Sequence, residues 1–288
     1  MANAQKNPFV KPYLKWAGGK RQLLPQIREQ LGRLLTTNTY YEPFVGAGAV
    51  FFDYQPCKAV INDTNAQLIL TYKMVRDHAD ELIAALKTHV VSNSEDYFYE
   101  IREMDRDTAA FDKLTDVEKA ARLIYLNKTC FNGLYRVNAQ GLFNAPYGRY
   151  KNPAICDEPV LLAIHNYLLG AGEALVILSG DFDDAVRTAD HNSVVYFDPP
   201  YHSADNTNFT GYQAGRFGEQ EQTRLRNTFA ELTERGAKCL LSNSDTAFIR
   251  ELYASDRYTI TAVSAKRAIN SDAAGRGEVN ELLIRNRR

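Results

Sequence analysis

The chain has 288 residues, 45% apolar and 24% charged, which suits one large domain or two modest ones and excludes a disordered, collagenous or coiled-coil protein. Its 34 Lys and Arg against 35 Asp and Glu give a net charge of −1, an average that argues against a nucleic-acid binder. No apolar run reaches the roughly 18 residues of a membrane span, Met1–Pro8 lacks a hydrophobic signal core, and the four scattered cysteines form no CxxC pair, so a reduced, cytoplasmic protein is expected.

The first 33 residues are basic: Lys6, Lys11, Lys15, Lys20, Arg21, Arg28 and Arg33 oppose Glu29 alone, and a helix is predicted over Leu23–Leu35. A strand at Tyr40–Phe44 runs into a glycine turn, and a second at Ala59–Asn62 runs into Asp63. The period then turns helical at Asn65–Arg76, Ala79–Val91, Ser94–Met104 and Thr115–Asn127, the last opened by a Thr115/Glu118 capping box. Twelve acids fall between 77 and 118, whereas 125–156 carries Lys128, Arg136, Arg149 and Lys151 with no acid. Asn132-Gly133 and Gln140-Gly141 are turn signals in that basic, tyrosine-rich stretch and predict a hairpin. Strands at Leu175–Ser179, Ser193–Phe197, Ala237–Ser242, Tyr258–Val263 and Val279–Arg285, with helices at Glu219–Arg235 and Thr246–Tyr253, complete the chain. Strands separated by helices predict an α/β fold with a mostly parallel, Rossmann-like sheet flanked by helices. Residues 1–66 and 158–288 form its catalytic domain, and 67–157 an inserted helical plus β-hairpin domain. Charge segregated in this way can steer a polyanion into one cleft despite the neutral average.

Ligands of such a sheet bind outside the carboxyl ends of the strands, and here those ends carry Gly46 and Gly48, Asp63, Asp181, Asp198 and Asn243. Glu42–Gly48 lacks the third glycine of a dinucleotide motif, with Phe at position 51, which argues against a pyrophosphate and for a phosphate-free nucleoside such as S-adenosylmethionine. Asp63 is placed to accept from ribose hydroxyls. Trp16–Lys20 fails as a P-loop because Leu14 and Arg21 stand at required positions. Asp181 either accepts from a purine amine flanked by Phe182 or caps a helix. The most telling segment is Asp198-Pro199-Pro200-Tyr201 after the strand Ser193–Phe197. Prolines end the ladder and hold their carbonyls rigidly. A carboxylate and a carbonyl accepting both N–H groups of an aryl amine would restore its delocalised lone pair, while Tyr201 offers a stacking face. The five histidines show no metal-ligand spacing, and no metal is assigned.

Together, Tyr13–Lys20, Glu42–Gly48, Asn62-Asp63, Phe131–Asn138, Phe143–Lys151, Asp198–Tyr201 and Leu241–Asn243 resemble the Dam family of DNA adenine methyltransferases, over about residues 11–286. The order of glycine motif, recognition insert and DPPY is that of the alpha group of amino-methyltransferases. The resemblance implies N6 methylation of an adenine flipped out of double-stranded DNA, usually within GATC. S-adenosylmethionine would be the methyl donor and S-adenosylhomocysteine the product. It implies cofactor contacts from Trp16, Lys20, Phe44, Gly46, Gly48, Asp63, Asp181, Phe182 and Asp198, and an adenine held by Asp198, Pro199, Pro200 and Tyr201. It implies DNA contacts from Lys15 and Arg136 to guanines and from Leu134 and Pro146 to a thymine methyl. Phe131 and Asn132 would lie at the gap left by the base, with Asn138, Arg149 and Tyr150 nearby. His202-Ser203-Ala204 departs from the pattern of many relatives, which have a proline two residues on, and leaves a closing segment over 202–218 undefined.

Three rivals bound this reading. A methyltransferase for cytosine N4 or an RNA adenine is opposed by the leading aspartate and the recognition insert. A catalytically silent DNA binder is opposed by the intact acceptors, and a nicotinamide dehydrogenase by the missing glycine. A monomer or weak dimer, without membrane partners, is expected.

Overall fold

The computed structural model describes residues 6–16, 18–203, 217–266 and 278–287, so most of the closing segment at 202–218, and Ala17, lie outside the described residues. Seven strands form one sheet: β1 (Thr39–Glu42), β2 (Ala59–Asp63), β3 (Leu175–Ser179), β4 (Ser193–Phe197), β5 (Lys238–Ser244), β6 (Tyr258–Lys266) and β7 (Glu278–Asn286). Their order is β3-β2-β1-β4-β5-β7-β6, with the first five parallel and β7 antiparallel to both neighbours. This is the expected Rossmann-like sheet. The chain winds outward from β1 to β3 and then returns to β4 on the other side of β1, so the switch point lies between the carboxyl ends of β1 and β4.

Helices cover both faces. In chain order they are α1 (Leu24–Leu31), α2 (Ala49–Tyr54), α3 (Ala66–Asp77), α4 (Ala79–Ser92), α5 (Glu95–Glu103) and α6 (Thr108–Asp112). They continue with α7 (Asp116–Thr129), α8 (Glu158–Ala171), α9 (Phe182–Ala185), α10 (Glu219–Glu234) and α11 (Ala247–Leu252). One face buries Tyr40, Ile61, Tyr196, Leu240 and Leu283 beneath α1, α2, α3 and α8; the other buries Val195, Phe197, Leu241 and Ile284 beneath α9, α10 and α11. The alternation along β4 and β5 is the period-two strand pattern with both faces apolar, as a parallel sheet requires. Among the described residues no helix is long and apolar enough to cross a membrane.

The predicted helix at Leu23–Leu35 stops short, at Leu31, because Gly32 adopts φ +64° and returns its N–H to the Arg28 carbonyl. The predicted helices of the insert form within a residue or two. Thr115 Oγ accepts from Glu118 N while Glu118 Oε2 accepts from Thr115 N, a reciprocal cap that contributes about 1 kcal/mol. Helix α8 carries no clear amphipathic period and is missing from the sequence reading. The whole stretch from α3 to α8 is the crossover between β2 and β3. One continuous apolar cluster joins it to the sheet, from Ile61 through Leu68 and Tyr72 to Leu123, Tyr125 and Ile164. The hairpin exists in minimal form: Val137 bridges Phe143, Asn138 N donates to Leu142 O, and Asn144 N donates to Arg136 O.

Candidate active site

At the end of β1, Gly46 (φ +50°) and Gly48 (φ +71°) turn the chain sharply into α2. A Cβ on Gly48 would stand 2.7 Å from the Tyr72 hydroxyl, which itself donates to the Gly46 carbonyl at 2.9 Å, so the turn tolerates no side chain there. Asp63, at the end of β2, accepts from Gly46 N at 3.1 Å and from Asn65 N at 2.9 Å. Burial pushes its carboxyl up to about 6 in spite of those two bonds. Each oxygen keeps a lone pair for a further donor. Asn62 ties the neighbouring ends together through Pro43 O at 3.0 Å and Gly180 O at 2.9 Å. The indole of Trp16 lies over Gly46 and stacks on Tyr135 at 5.1 Å.

Beyond β3, Asp181 caps α9 through Asp183 N at 2.9 Å, so the capping role is real. The same carboxylate takes both arms of Arg224, at 2.9 and 2.7 Å, and this pairing holds it below the usual range. Phe182 is a buried wall, its ring 5.3 Å from Phe44 and 6.0 Å from Phe217, with the Arg224 guanidinium 4.2 Å from its centroid.

At the end of β4, the Asp198 carboxylate meets Lys20 Nζ at 2.8 Å and accepts from Ser242 Oγ at 2.9 Å. Burial raises its carboxyl, and Lys20 and Ser242 offset part of that rise. The two prolines are held from behind. Gln222 Nε2 donates to Pro200 O at 2.9 Å, Asn243 Nδ2 donates to Gln222 Oε1 at 2.9 Å, and Asn243 Oδ1 accepts from His202 N at 3.1 Å. Among the described residues no donor reaches the carbonyl of Pro199, which is itself buried beside the half-buried Asp198. The Tyr201 hydroxyl donates to Glu281 Oε2 at 2.6 Å, and Lys20 Nζ lies 4.7 Å from its ring centroid. Behind Asp198 sits a second buried carboxyl, Glu42, which accepts from the Tyr40 hydroxyl at 2.6 Å. Burial, with the charge of Asp198 beside it, raises Glu42 well above the ordinary value.

The residues expected to contact DNA lie in the segment after α7, with Lys15 beside it. Asn127, fully buried on α7, accepts from Lys15 N at 2.9 Å and donates to Lys15 O at 2.6 Å and Gly133 O at 3.1 Å. It thereby joins the amino-terminal segment to the basic loop. Lys15 Nζ lies 4.5 Å from the Tyr150 ring, and Phe131 N donates to Pro146 O at 2.8 Å. Phe131, Asn132, Arg136, Pro146 and Arg149 are exposed, and Leu134 is half-buried. Arg136 is braced by Asn144, through Oδ1 at 2.8 Å and the carbonyl at 3.1 Å. Two expected DNA contacts are already engaged: Asn138 Oδ1 closes the hairpin turn on Gln140 N and Leu142 N, and Arg149 pairs with Glu95 at 3.1 Å. The hairpin is clamped by the helices, because Asp105 accepts from Phe143 N at 3.1 Å and Arg106 donates to Phe143 O at 2.6 Å.

Asn127, Gln222, Arg224, Glu281 and Asp105 were not found from the sequence. Only Gln222 carries a local signal, since it shares the apolar phase of α10 with Leu225, Phe229 and Leu232. Among the described residues no group of three or more His, Cys, Asp and Glu gathers as metal ligands.

A Rossmann-like sheet with a glycine turn and a carboxylate–carbonyl pair on adjacent strands of its switch point defines the class: this is a methyltransferase. The chain belongs to the D12 class N6 adenine-specific DNA methyltransferases, whose pattern it matches over residues 16–269. It is 42% identical over 284 residues to the type II methyltransferase M1.LlaDCHI of Lactococcus lactis subsp. cremoris, covering 98% of each chain. It is 42% identical over 294 residues to the type II methyltransferase M.MjaIII of Methanocaldococcus jannaschii, covering 96% of this chain and 99% of that one. To the DNA adenine methylase of Escherichia coli K12 it is 35% identical over 275 residues, covering 94% and 93%. The kinship with Dam that the sequence suggested is therefore established.

Proposed function

We propose that the protein transfers a methyl group from S-adenosylmethionine to N6 of an adenine everted from duplex DNA, within GATC. One observation carries this reading. Four adjacent strands, β3, β2, β1 and β4, end respectively in Asp181, Asp63, the Gly46–Gly48 turn and Asp198. Three inter-strand spacings of about 4.8 Å put the outer two roughly 14 Å apart. The order of acceptors along that line follows the order purine amine, ribose, methyl-bearing sulfur and target amine.

The donor set fits that cofactor. Asp181 and Asp63 are acceptors for an amine and for hydroxyls, Phe44 and Phe182 supply apolar walls, and the glycine turn offers no cluster of cations for a pyrophosphate. Asp63, Asp181 and Trp16 would hold it, and when bound it supplies an electrophilic methyl carbon on a sulfonium.

The chain's own residues do the rest. A base inside a duplex is out of reach, and extruding it costs a few kcal/mol of stacking. Phe131 and Asn132, both exposed, would occupy the gap. Tyr201, fixed through Glu281, would stack on the everted ring. Asp198 and the Pro199 carbonyl would accept the two N–H bonds, direct the nitrogen lone pair outward and neutralise the positive charge that develops on it. Lys15 and Arg136 would read guanine edges, each good bidentate contact discriminating by about 1–3 kcal/mol. DNA as substrate goes with a cytoplasmic site of action.

The test is direct: unmethylated duplex DNA is incubated with the protein and labelled S-adenosylmethionine, digested to nucleosides and mapped. Label confined to N6-methyladenine within GATC is expected. Label in cytosine overturns the amine assignment, and label in adenines elsewhere overturns the sequence assignment.

A further inference from the structure

We infer that Arg224, on α10, is the positioning residue that makes the cofactor pocket selective for adenine over hypoxanthine. The inference rests on the methyltransferase reading above and assigns a role to a side chain remote from the transferred methyl group.

Three observations converge on it. First, Arg224 binds the Asp181 carboxylate with both arms, at 2.9 and 2.7 Å, fixing the direction of the one lone pair left on Oδ2. Second, its guanidinium lies 4.2 Å from the centroid of Phe182, the residue after Asp181, so one planar group orients both the acceptor and the ring beside it. Third, Arg224 also pairs with Asp183 at 2.8 Å and Glu221 at 2.6 Å, and Thr228 donates to Asp183. The guanidinium is thus the hub of three carboxylates, and its own orientation is set from α10 as well as from the pocket. Without it, Asp181, Asp183 and Glu221 face one another, and the Asp181 carboxylate is held only by the single bond from Asp183 N.

An ionised, immobilised Asp181 has only acceptor lone pairs to offer. It rewards the exocyclic amine of adenine, a donor, and opposes the carbonyl that replaces it in hypoxanthine. A carboxylate free to rotate can turn its lone pairs away from a carbonyl and so discriminates less between the two groups. Helix α10 also carries Gln222, which holds the Pro200 carbonyl, so one helix braces the purine end of the cofactor site and the loop that receives the target base.

The experiment compares S-adenosylhomocysteine with S-inosylhomocysteine by calorimetric titration of the full chain. Wild-type protein is expected to prefer the adenosine ligand by at least tenfold. Arg224→Gln should weaken S-adenosylhomocysteine at least tenfold while leaving the inosine ligand within about threefold, so that the preference collapses. Arg224→Lys keeps the charge and loses the fork, and should retain less than a third of the wild-type preference; it supplies the same reading if the Gln variant does not fold. An unchanged preference ratio in either folded variant, even with uniformly weaker binding, overturns the assignment and leaves Arg224 as packing alone. Failure of the wild-type protein to bind S-adenosylhomocysteine overturns the cofactor reading itself, a result distinguishable before any variant is made.

Discussion

The Lys20 ammonium occupies the ground between Asp198 and Tyr201, 2.8 Å from the carboxylate of one and 4.7 Å from the ring centroid of the other. Those are the two groups on which an adenine would be held and stacked. The ammonium thus compensates the half-buried Asp198, which has Ser242 as its second donor, and the Gly18 carbonyl holds the ammonium from behind at 2.5 Å. An arriving amine replaces one N–H donor by another.

Lys20→Met removes the strongest influence that lowers the Asp198 carboxyl, so that carboxyl climbs further than burial already takes it. A protonated Asp198 donates where it must accept. Methyl transfer by the variant should fall most at low pH and recover as the pH is raised, because ionisation returns the acceptor. Asp198→Asn should lose about 10³-fold with no recovery at any pH. Single-turnover rates from pH 6 to pH 9 separate the two profiles. Equal, pH-independent losses would show that Lys20 acts on something other than Asp198.

The Asp63 carboxyl, pushed up to about 6 from 3.8 by burial, gives cofactor binding an acid limb. Between those values the folded protein holds a proton that the unfolded chain has released, so this group's contribution to stability falls as the pH rises through the window. Binding runs the other way, since a ribose hydroxyl needs the ionised acceptor. Affinity for S-adenosylhomocysteine is expected to be level above pH 6 and to fall by up to about tenfold per unit below it. Asp63→Asn should bind more weakly and show no such limb, as calorimetric titration across the range will reveal.

These two sites illustrate what the sequence carries. Strand ends were legible because parallel strands buried on both faces read as apolar runs, and the first polar residue after each run marks the carboxyl edge: Asp63 after Ala59–Asn62 and Asp198 after Ser193–Phe197. What fastens them was not legible. Gln222 and Glu281 reach the DPPY loop across 22 and 80 residues of chain; the apolar phase of α10 marks Gln222 as buried but not its partner, and nothing local marks Glu281. Helix α8 escaped for a different reason: residues such as Val160, Leu161, Ile164 and Leu168 are buried between α3, α4 and the rest, which leaves no clean polar stripe to count. The helix predicted to run to Leu35 ends at Leu31 because Gly32, itself visible in the sequence, is a local stop.

Asn127 bonds both backbone groups of Lys15 and the carbonyl of Gly133 from a fully buried site. Asn127→Ala strands an N–H and two carbonyls, each unsatisfied group costing about 1–3 kcal/mol, so a loss of about 3 kcal/mol in urea unfolding is expected. Lys15 and the 131–136 loop would also lose their common support. Discrimination between GATC and single-base variants should narrow by about tenfold, measured as a ratio of kcat/KM values, while S-adenosylhomocysteine affinity changes far less. Unaltered discrimination in the folded variant would remove Asn127 from the recognition apparatus.

Lys128, one residue after Asn127 on α7, is a half-buried ammonium pushed down to about 8, first by burial and then by the charges of Lys15, Arg21 and Lys11, with Asp157 in partial relief. Four mutually repelling cations so close together suit a phosphate group, whose negative charge would relieve them. A DNA phosphate supplies that negative charge and draws Lys128 back toward its ordinary value. DNA binding at pH 8 should therefore take up about half a proton, detected as a dependence of the binding enthalpy on the ionisation enthalpy of the buffer. Affinity should decline as the pH rises above 8, since the free protein must then be recharged. Lys128→Met should abolish the uptake and lower the slope of log affinity against log salt by about one. Binding with no proton uptake in the wild type would show that the phosphate backbone passes elsewhere, and that Lys128 faces solvent in the complex.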